Sequence, residues 1–222
     1  MRLILSVLSV VTLLSCTYQN NPKVKDESIS GTAVAAKAVA PASENLEVAT
    51  LAGGCFWCTE AIYQDLKGVK SVLPGYSGGT AKTANYKDVC TGTTKHAEVI
   101  QIEFDPNVIS FAEILEIFWS THNPTTLNRQ GNDVGPQYRS AIFYHSDVQK
   151  AVAEESKADV ATTFWNDKIV TEIVPFEAFY EAEDYHQNYY KRVGSSNPYC
   201  TAIITPKVEK FKKAYKDKLK EN

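Results

Sequence analysis

The sequence has no excess of basic charge: 23 Lys and Arg stand against 26 Asp and Glu, a formal net charge of −3. That balance argues against a nucleic-acid binder working by bulk charge. No apolar run is long enough to span a bilayer, which takes about 20 residues. No internal repeat is visible, which excludes a solenoid. The cysteines are not even in number: five stand at 16, 55, 58, 90 and 200, and a fully disulfide-paired scaffold needs an even set. Methionine is nearly missing, with Met1 the only one, so oxidation of the chain's own methionines has little to act on. What remains is a globular composition, 44% hydrophobic and 22% charged, with twelve Tyr and nine Phe,. The length suits one domain with an appendage. Such a domain buries about 70% of its unfolded surface without disulfides, so the cysteines point to chemistry more than to scaffolding.

The appendage is N-terminal. Arg2 precedes Leu3-Ile4-Leu5-Ser6-Val7-Leu8-Ser9-Val10-Val11-Thr12-Leu13-Leu14, an apolar stretch of twelve residues. A charged start, a short apolar run and small residues after it read as a signal peptide over residues 1–15. A buried first strand or helix would need full burial, because the run has no polar face. Leu13-Leu14-Ser15-Cys16 resembles the bacterial lipoprotein signal, with Cys16 lipidated as the mature N-terminus. The expected location is the bacterial cell envelope, lipid-anchored and facing the periplasm or exterior. Residues 16–45 are rich in Ala, Ser, Asn and Lys and read as a flexible tether,. The domain is expected over 46–222.

Within it, Leu46 to Ala52 alternates as a strand, Gly53-Gly54 breaks it, and a helix is predicted from Phe56 to Leu66,. Strands are predicted at Val69–Gly75, His96–Phe104, Tyr138–Tyr144 and Ile169–Val174, with polar loops over 77–89 and 125–137. Ser110 with Glu113 forms a capping box before the stripe Phe111, Ile114, Leu115 and Phe118,. Ser146 with Gln149 caps the next helix, Glu181–Tyr190 is predicted helical, and 194–204 irregular. Thr205-Pro206 opens a Lys-rich helix carrying Val208, Phe211, Tyr215 and Leu219, whose lysines read as a solvated face,. The mixture predicts a two-layer α+β sandwich, paired strands covered on one side by helices.

The chemistry concentrates at Gly54-Cys55-Phe56-Trp57-Cys58. Cys55 falls where a strand ends and a helix starts, and a helix N-terminus favours thiolate, so its pKa is expected to fall. Cys58 lies one turn on, within disulfide reach, and Phe56 and Trp57 are placed to wall an apolar pocket. Half a zinc site is the competing reading, but Cys90 and His96 are not spaced as a second ligand pair. Inert core cysteines are another, weakened by the Gly-Gly turn. The second signal is the strand Lys95 to Phe104, on which Glu98 shares a face with Ile100, Ile102 and Phe104,. Desolvation there would raise its pKa and keep it a proton donor near neutrality; a strand-end Glu turned into water is the alternative.

These blocks resemble the A-type peptide methionine sulfoxide reductases. The likeness runs through Gly54-Cys55-Phe56-Trp57, Gly75-Tyr76-Ser77-Gly78-Gly79, Tyr86-Lys87-Asp88-Val89-Cys90-Thr91-Gly92 and His96-Ala97-Glu98. It continues through Gln130-Gly131-Asn132-Asp133-Val134-Gly135-Pro136-Gln137-Tyr138-Arg139-Ser140 and Ala182-Glu183-Asp184-Tyr185-His186-Gln187. Several separated motifs in order are far more specific than a lone Cys-x-x-Cys. The resemblance implies a ferredoxin-like core with long loops, no cofactor or metal, and reduction of the S-epimer of methionine sulfoxide, free or in proteins. It implies Cys55 as nucleophile, Glu98 as the acid that protonates the sulfoxide oxygen, and Tyr86 and Tyr138 as hydroxyl partners of that oxygen. Phe56 and Trp57 then hold the substrate methyl group, Asp133 contacts the substrate backbone, and His186 with Asp184 supports the site.

The resulting Cys55 sulfenic acid condenses with a second thiol and an external dithiol reduces the disulfide. Many members of the family carry Gly where this chain has Cys58 and resolve from C-terminal cysteines. Here Cys58 is ranked first as the resolving thiol and Cys200 second, with a relay from 55 to 58 to 200 also open, and Cys90 read as a packed thiol. A thioredoxin-like reductant is the expected partner, with no nucleic acid. Two other classes remain: a general thioredoxin-type dithiol oxidoreductase, in which Glu98 has no task, and a non-catalytic surface lipoprotein that binds oxidised proteins.

Overall fold

A computed structural model describes residues 46–221; the predicted signal peptide, Cys16 and tether lie outside the described residues. Strand β1, Glu47–Gly53, leads through the glycine turn into helix α1, Phe56–Tyr63, and strand β2, Val69–Ser77. Helix α1 stops short of the predicted Leu66, which instead forms a bridge with Leu219. The polar stretch after β2 contains a one-turn helix α2, Tyr86–Val89, where Asn85 Oδ1 accepts from the Asp88 N–H at 3.0 Å. That short-range cap was a helix signal in a segment predicted to be loop.

Strand β3, Ala97–Phe104, precedes helix α3, Phe111–Thr121. The capping box is present in full: Glu113 N–H donates to Ser110 Oγ at 3.2 Å and Ser110 N–H to Glu113 Oε2 at 2.9 Å. Ser110→Ala is expected to cost about 1 kcal/mol of stability, read as a lower urea midpoint at unchanged slope. Strands β4, Arg129–Gln130, and β5, Asp133–Val134, form a small separate hairpin. Strand β6, Ser140–Tyr144, follows, then helix α4, Asp147–Glu155, capped by Ser146 and continued through a π turn into helix α5, Ala161–Phe164. Strands β7, Glu172–Pro175, and β8, Phe179–Glu181, complete the sheet.

The main sheet runs β7-β6-β1-β3-β2-β8. Its four central strands are mutually antiparallel in the order β6-β1-β3-β2. Helix α1 joins β1 to β2 and α3 joins β3 to β6, which makes the expected ferredoxin-like βαββαβ core. β8 adds antiparallel to β2 and β7 parallel to β6. β3 sits at the centre, and its alternate residues divide between two cores. Ile100, Ile102 and Phe104 join Ile62, Ile114, Leu115 and Phe118 under the helices. Ala97 and Val99 join Ala52, Ala141 and Phe143 on the opposite face. Glu98 belongs to the helix-covered side by the same alternation.

The predicted helix over 181–190 is absent. That stretch holds the end of β8, a 3-10 turn at Asp184–His186, and helix α6, Tyr189–Val193. Asn188, with φ of 53°, breaks any continuous helix there,. Cys200 was expected in an irregular tail; it is fully buried on a π turn, Cys200–Ile204, that feeds helix α7, Thr205–Ala214. Of the four residues expected on one side of that helix, Val208 and Phe211 are buried on it, whereas Tyr215 and Leu219 lie beyond the helix end.

Candidate active site

The site begins at the turn between β1 and α1. Gly54 has φ of +91°, and a Cβ there would lie 2.5 Å from Gln130 Cγ, so only glycine fits without strain. Gln130 is fixed over the turn: Asn123 N–H donates to its Oε1 at 3.1 Å and its Nε2 donates to the Asn123 carbonyl at 3.1 Å. The turn delivers Cys55 to the N-cap of α1, and the Cys58 N–H donates to the Cys55 carbonyl at 3.0 Å. One helical turn therefore sets the two thiols side by side, hydrogen-bonded to each other. Both are buried.

Glu98 enters from the centre of the sheet, 2% exposed. The Phe56 N–H at the start of α1 donates to its Oε2 at 3.1 Å. That bond favours the carboxylate, but burial outweighs it, and the nearby Asp133 and Cys58 add in the same direction, pushing Glu98 up to about 8,. The side chain is therefore a protonated acid at neutral pH. Tyr86 and Tyr138 lie within electrostatic reach of both Glu98 and Cys55, and burial raises both phenols, so they too stand as hydrogen-bond donors.

An aromatic wall lines one side. Phe56 packs against His186 with ring centres 5.0 Å apart, and Trp57 stacks on Tyr189 at 3.8 Å. Trp57 Nε1 donates to His186 Nδ1 at 3.1 Å. Since indole only donates, Nδ1 is the acceptor and the ring proton sits on Nε2, 3.8 Å from Glu183 Oε2,. Burial pushes His186 down to about 4 and keeps it neutral. Its contacts fix the orientation of Trp57. The carboxylate beneath it is Glu183, which accepts from Tyr86 N–H at 2.8 Å and from the Tyr76 hydroxyl at 2.9 Å. Asp184, expected in that supporting role, is exposed, because the 3-10 turn carries its side chain outward.

The expected fall in the Cys55 pKa does not occur. Burial raises it well above the ordinary thiol range, and the Cys58 sulfur and Glu98 add to the rise. A helix of eight residues offers too little field at its N-terminus to reverse that desolvation. Cys58 shifts the other way: the hydrogen bond from Cys55 lowers it despite burial, and Lys207 contributes in the same sense. Cys200 lies close enough to feel the Cys58 charge. Cys90, read as a packed thiol, is exposed and hydrogen-bonds the Tyr86 hydroxyl.

Several neighbours had no role in the sequence reading. Tyr199 donates from its hydroxyl to Asp133 Oδ2 at 2.8 Å and lies against both Cys55 and Cys58. Glu60, 1% exposed, accepts from the Asn188 and Tyr189 N–H groups at 2.6 and 3.2 Å, and so pins the ring stacked on Trp57. Its position one turn after Trp57 on a predicted apolar helix was the available signal, the same buried-carboxyl argument that singled out Glu98. Tyr199 left no such trace, since a tyrosine beside a cysteine in an irregular segment has no spacing rule. Among the described residues, no group of three His, Cys, Asp or Glu side chains is placed to hold a metal ion.

A buried dithiol facing a protonated carboxyl and two phenols is the equipment of a thiol-dependent reductase acting on a protonatable oxygen. The family model described as peptide methionine sulfoxide reductase matches residues 47–219, and the chain belongs to that family. It is 59% identical over 175 residues to the Saccharolobus solfataricus peptide methionine sulfoxide reductase MsrA, covering 79% of this chain and 98% of that protein. A Thermus thermophilus protein of the same name is 51% identical over 174 residues, 78% of this chain and 98% of that one. Among solved structures, reduced Saccharomyces cerevisiae Mxr1 superposes with a TM-score of 0.64 at 36% identity, covering 70% of this chain and 90% of that one. Methionine sulfoxide reductase A of Corynebacterium diphtheriae gives 0.61 at 31% identity, covering 68% and 76%.

Proposed function

We propose that this chain reduces the S-epimer of methionine sulfoxide, free or in proteins, with Cys55 as nucleophile and Glu98 as acid. The observation that carries the assignment of roles is the Glu98 carboxyl, buried against the start of α1 and held protonated up to about pH 8. A sulfoxide sulfur is a poor electrophile until its oxygen is protonated. Glu98 supplies that proton, with Tyr86 and Tyr138 as hydrogen-bond donors to the same oxygen. Cys55 attacks the sulfur, the oxygen passes to Cys55 as a sulfenic acid, and methionine leaves. The proton lost by the Cys55 thiol restores Glu98, so the step is balanced: thiol and sulfoxide become sulfenic acid and thioether.

Stereochemistry follows from three fixed directions. The methyl group enters the Phe56 and Trp57 slot, the oxygen faces Glu98, and Cys55 approaches from the third side, which leaves one epimer productive. Asp133, whose Oδ2 accepts from the Tyr199 hydroxyl beside both thiols, is the proposed contact for the substrate's backbone amide. Cys58, already hydrogen-bonded to Cys55, is the resolving thiol, and a thioredoxin-like dithiol reduces the bridge,. The test is turnover of separated S and R epimers with dithiothreitol: S consumed and R untouched supports the reading, and equal rates overturn the proposed slot.

The N-terminal signal supports a second part of this reading: residues 1–15 are cleaved and Cys16 is lipidated, holding the domain at the cell envelope through the 16–45 tether,. Incorporation of labelled fatty acid into the wild type but not Cys16→Ser is the expected result. Incorporation into both would remove Cys16 as the anchor.

A further inference from the structure

Lys207 stands apart from the other lysines of the C-terminal helix. Lys212 pairs with Asp65 at 2.8 Å on the outer surface, and Lys218, beyond the helix end, pairs with Glu113. Lys207, in the first turn of α7, is half-buried and turned toward α1, with its Nζ 3.9 Å from Cys58 Sγ. Among the described residues no carboxylate forms an ion pair with it. The Lys-rich stripe, read from sequence as a solvated face, thus contributes one amine to the dithiol.

We propose that Lys207 is a positioning residue for the resolving step, holding Cys58 oriented and charged for attack on the Cys55 sulfenic acid. The inference rests on the assignment of Cys58 as resolving thiol. In that step the Cys58 thiolate forms the S–S bond as the S–O bond of Cys55 breaks. The departing hydroxide takes up the proton that Cys58 released to solvent, leaving as water. No further oxidant or reductant is needed.

The surroundings of Cys58 make an added cation consequential. Cys55 donates to it and Tyr199 touches it, Asp133 opposes its charge, and Glu98 and Cys200 lie within electrostatic reach. His122, which also feels the Lys207 charge, is kept neutral by burial, pushed down to about 4. Lys207 is thus the cation that offsets Asp133. The groups acting most strongly on Cys55 are burial, Cys58, Glu98 and Tyr199, so the amine acts on the second thiol and leaves the first chemical step to the others.

The experiment is a single turnover of the reduced full chain with methionine-S-sulfoxide and no reductant, acid-quenched and alkylated, with methionine and the 55–58 bridge quantified across pH. Removing an opposite charge this close lowers the thiolate population by about tenfold. That loss is partly offset by the greater nucleophilicity of a more basic sulfur, for a net slowing of about three- to fourfold. In Lys207→Met, methionine release is expected to stay within about twofold of wild type, since only the second thiol loses its cation. Bridge formation at pH 7 slows by the three- to fourfold just derived or more, and its pH midpoint moves up. Lys207→Gln repeats this and Lys207→Arg restores the midpoint. Bridge formation at the wild-type rate and midpoint in both neutral variants overturns the inference while the Cys58 assignment stands. Slowing that Lys207→Arg fails to restore also overturns it, as a packing effect. A wild-type first bridge between 55 and 200 overturns both the inference and the assignment.

Discussion

Cys55→Ser is expected to reduce turnover of methionine-S-sulfoxide to the floor of the assay, a loss on the order of 10^6 if it matches the removal of a nucleophile in other covalent enzymes. Serine keeps the shape and the N-cap position but its hydroxyl is neither polarisable nor acidic enough to attack sulfur. The variant should fold, because the Cys55 side chain makes no capping hydrogen bond to the α1 backbone, and its thermal melt should lie near that of the wild type. A folded Cys55→Ser protein that turns over at even a few per cent of the wild-type rate would place the attack on another thiol, Cys58 first.

The second large effect concerns Glu98. Glu98→Gln retains an N–H donor for the oxygen but has no proton to give, and the expected loss is on the order of 10^2–10^4, the range for a positioned general acid. The pH profile carries a sign. The acid form is present below about 8, so turnover should fall as pH rises through that value. In Glu98→Gln the residual rate should lack that descending limb. Stability follows the same group. Its pKa is raised on folding from the usual 4.5 to about 8, so the native state holds the proton more tightly. Its contribution is fully present below about 4.5 and is lost as pH rises from there through 8. Glu60, raised to about 7 by burial, acts in the same direction over a narrower window. Glu98→Gln should flatten this decline in part, leaving the portion due to Glu60.

The elements that fix the site were legible because they rest on local rules. The Gly53-Gly54 break, the Ser110 capping box and the alternation of β3 each depend on neighbours in sequence, and they place Cys55, α3 and Glu98 where expected. The errors share a different cause. Helix position alone favours an acidic Cys55, and burial by distant segments reverses that preference. The segment 181–190 carries helix-forming residues, yet pairing of Glu181 with Gly75 and the burial of His186 against Trp57 impose strand and turn instead. Tyr199, Glu183 and Lys207 reach the dithiol and its aromatic wall from loops or helices more than a hundred residues away from at least one partner, as in the Tyr76–Glu183 and Cys58–Lys207 contacts. No periodicity encodes such meetings; only the closed fold brings them about.

The central chemical claim is an uncharged carboxyl opposite Cys55. Difference infrared spectroscopy of wild type against Glu98→Gln, taken on the reduced protein without substrate, reads that carboxyl directly. A protonated C=O stretch assigned to Glu98 at pH 7, giving way to the carboxylate band near pH 8, is the predicted result. A carboxylate band for Glu98 already dominant at pH 6 would contradict it.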